Sequence, residues 1–326
     1  MKIEDIRERL KEAIIQTDEI LNKDRNWEKI YENRANSILE NEKEQAKLRK
    51  KFYKRKPFTY YETISRINKN EMNISVRYLG QEVAEIAVKN DEDVTISTKK
   101  YNKSNKNNFD CNIELDNVSW NKSEKAKKFR KFFMEREALR NNKDKNNEEH
   151  RIESALLTEF LKESSKDKLL CGIQPVTFVG FRLPMPTAIT ASKNIELGGK
   201  NGACGGNIDI LARTKGKKIT VIELKDENKP QENIDKVLEQ ATAYAIFILN
   251  LLHSNSGEKW YKIFGFNGSI PKKITIRVCL AMPIKKDGTY ETFETFPLPY
   301  GEDKLEYHWI YFEESDKKIK RIESSL

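Results

Sequence analysis

Two apolar segments on either side of Gly216 constrain the fold of this chain more than any other feature. They span residues 207–213 and 218–225, and both have the length and apolar content of buried strands. The short polar turn between them predicts a β-hairpin. If the hairpin is centred on Gly216, position 209 lies opposite position 223, where Cβ atoms are roughly 4.5–5.5 Å apart.

Three charged side chains interrupt these apolar strands. Asp209 and Glu223 face each other in the predicted hairpin, and strand alternation puts Lys225 on the same face as Glu223. Opposed carboxylates repel, so a cation, a shared proton or Lys225 alone must relieve them. A divalent cation fits best, since Mg²⁺ needs only a few carboxylates and keeps several waters. Such a site positions a hydrolytic water and stabilises charge on a phosphate, with Lys225 near the water or the phosphoryl oxygens.

The chain from residue 150 onward alternates between helical and strand patterns. The apolar periodicity predicts helices over about 150–164 and 233–252. Strands are predicted over the ranges 173–181, 207–213, 218–225 and 273–282. This α-β-β-β-α-β series predicts an α/β fold with a mixed sheet and helices packed on it.

The first 140 residues predict an N-terminal α+β domain of helices and a small antiparallel meander. Residues 3–52 have helical periodicity, with a break at 22–26, and a basic helix is predicted over about 122–140. Alternating patterns predict strands over the ranges 73–78, 82–88, 93–97 and 111–115. Residues 141–149 contain no apolar side chain and predict a linker, which leaves 150–326 as the second domain.

The composition excludes some classes of protein and favours others. No stretch approaches the ~18 apolar residues of a membrane span, and the N-terminus lacks a signal-peptide core, which predicts a cytoplasmic protein. The four cysteines and three histidines are scattered, which argues against a disulfide framework or a zinc cluster. The net charge of +9 permits a polyanionic partner. Two basic runs, at 47–56 and 122–131, favour DNA binding over solvated helix faces, and aromatic residues accompany the first run.

The charged residues of the hairpin resemble a known catalytic motif. Asp209, a spacer of thirteen residues and then Glu223-Leu224-Lys225 are similar to the PD-(D/E)XK nuclease superfamily, which includes many restriction enzymes and recombination nucleases. The α-β-β-β-α-β order also resembles that family's restriction-endonuclease-like core, and the resemblance covers about 150–282. Asn207-Ile208-Asp209 stands where the family has Pro-Asp, a departure that removes no chemical group.

The resemblance implies an Mg²⁺- or Mn²⁺-dependent deoxyribonuclease. It implies that Asp209, Glu223 and the backbone carbonyl of Leu224 bind the metal, and that Lys225 assists the attacking water. The family often takes a further acid from its first helix, which points to Glu153, with Glu159 as the rival.

Two further residues match a feature of one branch of the family. Gln240 and Tyr244 lie four residues apart on one face of the predicted second helix, and they resemble the Q-x-x-x-Y feature of recombination exonucleases. The resemblance implies that they arrange the site or the DNA, although Tyr244 also fits an apolar core stripe. The glycine-rich segment 198–206 fits a loop at the rim of the site or a plain surface loop.

Three functions are compatible with these sequence features. The first is a DNA nuclease acting in defence, restriction or repair, which implies companion proteins of those systems and is consistent with a homodimer. The second is a catalytically silent, nuclease-like binding module or a subunit of a larger complex. The third is a hydrolase of RNA or of another phosphodiester.

Overall fold

The structure is a computed structural model. It describes residues 3–52, 57–62, 72–79, 81–89, 94–98, 109–139, 169–176, 207–225, 233–285, 287–315 and 318–326, with 152–153, 155–157, 159–160, 183 and 185–186. Side chains are described in most of these ranges but not over 41–52. The predicted linker 141–149, the glycine-rich segment 198–206 and the side chains of the first basic run lie outside the described residues.

Two helices open the chain, as the periodicity predicts. Helix α1 spans Ile3–Lys23 and helix α2 spans Asn26–Phe52. The predicted break between them is confirmed, and the Asp24 carboxylate accepts a hydrogen bond from the first amide of α2 at 2.9 Å. This bond satisfies one of the donors that a helix start leaves without an intrahelical partner.

One compact unit contains residues 37–154 and 178–181. Its antiparallel sheet has the order β1-β2-β3-β4-β5, and helix α3 spans Glu124–Leu139. The strands are β1 Thr59–Glu62, β2 Met72–Tyr78, β3 Gln81–Val88, β4 Val94–Ser97 and β5 Val118–Ser119. The core between sheet and helix is aromatic, with Phe129 and Phe133 of α3 fully buried among other rings.

The predicted strand at 111–115 is wrong. The segment pairs with no neighbouring strand. Its last residue, Leu115, is bound by Thr98 instead. The Thr98 amide donates to the Leu115 carbonyl at 2.9 Å, and the Leu115 amide donates to the Thr98 hydroxyl at 2.9 Å. The prediction rested on alternation, which does not distinguish a strand from an extended loop.

The other compact unit, residues 1–36, 155–177 and 182–326, contains a mixed sheet of seven strands. The strands are β6 Ile173–Pro175, β7 Ile210–Thr214, β8 Ile219–Leu224, β9 Thr275–Pro283, β10 Phe296–Tyr300, β11 Asp303–Ser315 and β12 Lys318–Ser324. The order is β10-β11-β9-β8-β7-β6, with β12 beside β11. Strands β8, β9 and β11 are parallel, while the other pairings are antiparallel.

Helix α4, Ile234–His253, connects the parallel strands β8 and β9, and the short helix α5, Gly257–Ile263, follows it. The Asn233 side chain caps α4 by accepting a hydrogen bond from the Asp235 amide. The middle of α4 is an almost unbroken run of buried apolar residues. A parallel connection needs a crossover element, and a helix that is apolar on most sides fits a position between two layers.

Helix α1 packs against α4, and residues 1–36 therefore belong to the unit that contains the mixed sheet. Arg9 pairs with Asp235 at 2.9 Å, and Tyr31 packs edge-on against Phe247 with ring centroids 4.9 Å apart. The observed division of the chain therefore differs from the predicted one, in which 1–140 forms one domain. The sequence pattern identified the helices correctly but does not say which apolar face each helix covers.

Strands β10 to β12 have no counterpart among the predicted elements, which end at residue 282. Pro297 and Pro299 lie two residues apart in β10. Proline has no amide hydrogen, so it cannot donate the hydrogen bond that a central strand needs. The strand tolerates them because β10 lies at the edge of the sheet.

No helix within the described residues has the length and apolarity that a membrane span requires.

Candidate active site

The β7–β8 hairpin positions the predicted charged residues. Its ladder pairs Ile210 with Ile222 and Leu211 with Val221, and each pair is symmetric about Gly216. The predicted register is therefore confirmed. The turn closes through the Thr214 amide, which donates to the Lys218 carbonyl at 2.9 Å.

Asp209 precedes the first residue of β7, one position beyond the Ile210–Ile222 pair that ends the ladder. Its side chain is buried, and its Oδ2 atom accepts a hydrogen bond from the backbone amide of Leu224 at 2.9 Å. This bond fixes the carboxylate beside the end of β8. A buried acid retained in an apolar strand is costly unless its oxygens are bound, and the Leu224 amide meets part of that requirement.

The backbone of Leu224 also faces the Asp209 side of the strand. The amide and the carbonyl of one residue in a strand point toward the same neighbour, and the Leu224 amide points to Asp209. The Lys225 amide points the other way, to the Ala281 carbonyl of β9 at 2.9 Å. The Leu224 carbonyl, a predicted metal ligand, therefore lies on the same edge of β8 as the Asp209 carboxylate.

Glu223 and Lys225 form a buried ion pair on one face of the sheet. The Lys225 Nζ lies 2.8 Å from the Glu223 Oε1, and the two side chains are only 8% and 2% exposed. Ions withdrawn from water to this extent are unfavourable unless paired and further hydrogen-bonded. Glu223 lies in a strand whose six residues are all buried, and Lys225 follows it directly. Two charged side chains at this position depart from simple core packing.

Helix α4 supplies the next members of this constellation. The Lys225 Nζ donates to the Gln240 Oε1 at 3.4 Å, and the Gln240 Nε2 donates to the Tyr244 hydroxyl at 2.9 Å. The structure thus brings Gln240 and Tyr244, which sequence reasoning selected, into one hydrogen-bonded chain with Lys225. Tyr244 is also buried, so it serves both in this chain and in the core.

Two residues outside the sequence predictions hold α4 in its position over the sheet. The Thr242 hydroxyl lies 3.1 Å from the Tyr307 hydroxyl of β11, and burial raises the pKa of Tyr307, which keeps that hydroxyl protonated. Both are fully buried. A threonine inside an apolar helical stripe, at position 242, was the available sequence signal.

The first-helix acids lie in a part of the chain that is described only in pieces. Glu153 is 1% exposed, whereas Glu159 is half-buried, and both are helical. Glu153 falls in the unit of the antiparallel sheet, while Asp209 and Glu223 belong to the unit of the mixed sheet. A role for Glu153 as a metal ligand stays a prediction.

The oxygen atoms at the hairpin fit a magnesium-type ion better than a metal that needs a large protein cage. Within the described part of the chain, no group of three His, Cys, Asp or Glu side chains is arranged to hold a metal. Mg²⁺ commonly binds through one or two carboxylates, retaining waters and taking substrate phosphates. Asp209, Glu223 and the Leu224 carbonyl would offer oxygen donors of this kind, and they include none of the thiolate or imidazole ligands that zinc favours.

Comparison with known proteins adds no relative. The chain matches no protein-family model, and neither the curated proteins nor the solved structures yielded a match.

Proposed function

We propose that this chain is a metal-dependent nuclease of the PD-(D/E)XK type that hydrolyses phosphodiester bonds of DNA. The observation that carries the proposal is the cluster of buried Asp209, Glu223 and Lys225 at the end of the β7–β8 hairpin, with half-buried Gln240 bonded to Lys225. Ionisable groups buried together at a strand end are more typical of a reactive site than of a stabilising core.

The order of elements around the constellation supports the same proposal. Helical residues between 152 and 160 precede strands β6, β7 and β8, and helix α4 and the parallel strand β9 follow them. This sequence of elements fits a restriction-endonuclease-like core. In such a core the acidic residues lie on the second and third strands, which are β7 and β8 here.

The residues of the chain have separate roles in the proposed reaction. Asp209, Glu223 and the Leu224 carbonyl would hold Mg²⁺ or Mn²⁺, which supplies electrophilic stabilisation of the phosphate and a more acidic water. The Lys225 ammonium is placed to neutralise charge that develops on the phosphoryl oxygens or to help orient the attacking water. Gln240 and Tyr244 act as positioning residues, because their hydrogen bonds restrict where the Lys225 ammonium lies.

Cleavage of plasmid and single-stranded DNA tests the proposal. With Mg²⁺ or Mn²⁺ we expect hydrolysis that EDTA abolishes and that Asp209→Asn and Lys225→Met reduce by at least ~100-fold, as loss of an electrostatic catalytic group typically does. Glu294→Gln and Lys285→Met change exposed residues of the same unit and serve as matched controls. Circular dichroism of each variant separates lost chemistry from lost folding.

Three outcomes would contradict the proposal in distinguishable ways. Hydrolysis that persists in Asp209→Asn would remove Asp209 from the site. Metal-independent DNA binding without hydrolysis by the wild type would indicate the silent binding module. Hydrolysis of RNA in preference to DNA, in a competition between labelled substrates, would change the substrate.

A further inference from the structure

The mixed sheet has a basic surface at the end opposite the proposed catalytic residues. We define the basic end as the surface formed by the β7–β8 turn, the segment 265–274 before β9 and the β10–β11 turn. Its exposed lysines come from two of these separate segments, and they are Lys215, Lys217, Lys272 and Lys273.

Strand register brings these segments together. Ile219 pairs with Ile276 in the parallel ladder of β8 and β9, so the β7–β8 turn and Lys273 precede paired residues of adjacent strands. Neighbouring strands lie about 4.8 Å apart. In addition, the Lys217 Nζ lies 3.8 Å from the position that a Cβ would take on Gly268. The lysines of the turn therefore lie beside the segment 265–274.

Most of the acidic groups at the basic end are already engaged by other partners. Glu306 accepts from Lys218 at 2.7 Å and from Lys304 at 2.8 Å. Asp303 is buried, where it accepts from the Ile274 amide and contacts His253. Glu258 accepts from the Ile270 amide at 3.2 Å.

Lysines outnumber the acidic groups at the basic end, so its net charge is positive. Glu302, at the tip of the β10–β11 turn, is an exposed acid on this surface. Like charges on adjacent strands are destabilising, and a cluster of them raises the local concentration of anions. The loop beside Lys217 exposes Asn267, Gly268 and Ser269, whose small side chains let a backbone approach closely.

We propose that the basic end binds the phosphate backbone of DNA at a distance from the cleavage site. This inference rests on the proposed nuclease function for its choice of polyanion. The extended part of β8 from Ile219 to Glu223 covers four residue steps, or about 13 Å at ~3.3 Å per residue, and the turn that holds Lys217 lies beyond it.

Equilibrium binding of fluorescein-labelled duplex DNA to the full chain in EDTA tests this surface without requiring hydrolysis. The variant carries four lysine-to-glutamine changes, at Lys215, Lys217, Lys272 and Lys273. The control carries four of the same changes at exposed lysines elsewhere in the unit, namely Lys11, Lys23, Lys29 and Lys285. Anisotropy titrations between ~50 and ~200 mM salt give the affinity and its salt dependence.

We expect the basic-end variant to bind more weakly than the control at every salt concentration. Each lysine that contacts a phosphate should lower the slope of log affinity against log salt by roughly 0.9. Equal affinities and equal slopes for the two variants would overturn the proposal. If the basic-end variant no longer binds vesicles of anionic lipid that the control variant binds, while its DNA affinity is unchanged, the proposal is also overturned. That result would assign the surface to membranes.

The two proposals fail in different assays. If the wild type hydrolyses DNA with metal but the two variants bind equally, the nuclease stands and the basic end does not bind DNA. If the wild type hydrolyses no nucleic acid, but the basic-end variant binds DNA more weakly than the control variant, the surface stands and the nuclease fails. Circular dichroism confirms that both quadruple variants are folded before either conclusion is drawn.

Discussion

The buried pair of Glu223 and Lys225 departs from the composition of an ordinary apolar core. Both side chains lie in or directly after a strand of six buried residues. Hydrophobic replacements of similar volume would fill the same space without the cost of desolvating two charges. Retention of the pair is consistent with a site that holds charge for a reaction.

Breaking this pair should destabilise the protein more than removing it. We expect Lys225→Met to lower the free energy of unfolding by about 3–5 kcal/mol, because it leaves the Glu223 carboxylate buried beside an apolar side chain. The double change Glu223→Leu with Lys225→Met should recover most of this loss. Urea unfolding in EDTA measures both variants.

The pair of Lys218 with Glu306 provides the control for that comparison. Its side chains are more exposed, at 35% and 19%, so Lys218→Met should cost only about 1 kcal/mol or less. A Lys225→Met variant that is no less stable than Lys218→Met would contradict the burial of the Glu223–Lys225 pair.

A buried histidine gives the protein a predictable dependence on pH. Burial lowers the pKa of His308, and the nearby charge of Arg277 acts in the same direction. The unfolded state therefore binds the proton more readily than the folded state. The resulting stability is present above the unfolded pKa of about 6.5 and is lost as the pH falls through it toward the lower folded value.

Replacement of this histidine should flatten the acid side of the stability profile. In His308→Phe, we expect the free energy of unfolding to fall less between about pH 6.5 and pH 5 than it does in the wild type. Urea unfolding at a series of pH values gives the two slopes. Equal slopes over that range would show that His308 titrates alike in the folded and unfolded states.

At the scale of elements, helix α1 stabilises the unit that holds the proposed active site. Leu10 is fully buried in the unit that contains α4, and the ion pair of Arg9 with Asp235 joins α1 to the start of α4. Because α4 carries Gln240 and Tyr244, the packing of α1 contributes to where those side chains lie.

A substitution on each side of α1 separates packing from helix propensity. Leu10→Ala should lower the free energy of unfolding by about 2–5 kcal/mol, since it deletes buried methylene groups and leaves a cavity. Ile15→Ala, at a side chain that is 58% exposed, should change it by no more than ~0.5 kcal/mol. Chemical denaturation compares the two, and similar losses would contradict the buried face assigned to α1.

At the scale of the whole molecule, the topology separates two kinds of surface within one sheet. The antiparallel β7–β8 hairpin places Asp209, Glu223 and Lys225 at one end of the sheet, and the parallel pairing of β8 with β9 places Lys217 and Lys273 at the other. An extended strand is stiff and has a fixed rise, so the spacing between the two ends is set by the length of β8.

The sequence by itself determined the features that depend on neighbours along the chain. The register of the β7–β8 hairpin about Gly216 could be predicted because strand alternation and a short turn fix which residues oppose each other. The break between α1 and α2 and the helical phase of Gln240 and Tyr244 are local in the same sense. The placement of Asp209, Glu223 and Lys225 at one end of the hairpin follows from these local rules.

Only the tertiary structure decided which distant segments meet. The packing of α1 on α4, the addition of β10 to β12 and the meeting of Lys217 with the segment before β9 join residues far apart in the sequence. Such contacts are selected by the free energy of burying whole apolar faces, and several pairings of the same elements satisfy one local pattern. The contact of Gln240 with Lys225 belongs to this class, since it exists only after α4 has packed on the sheet.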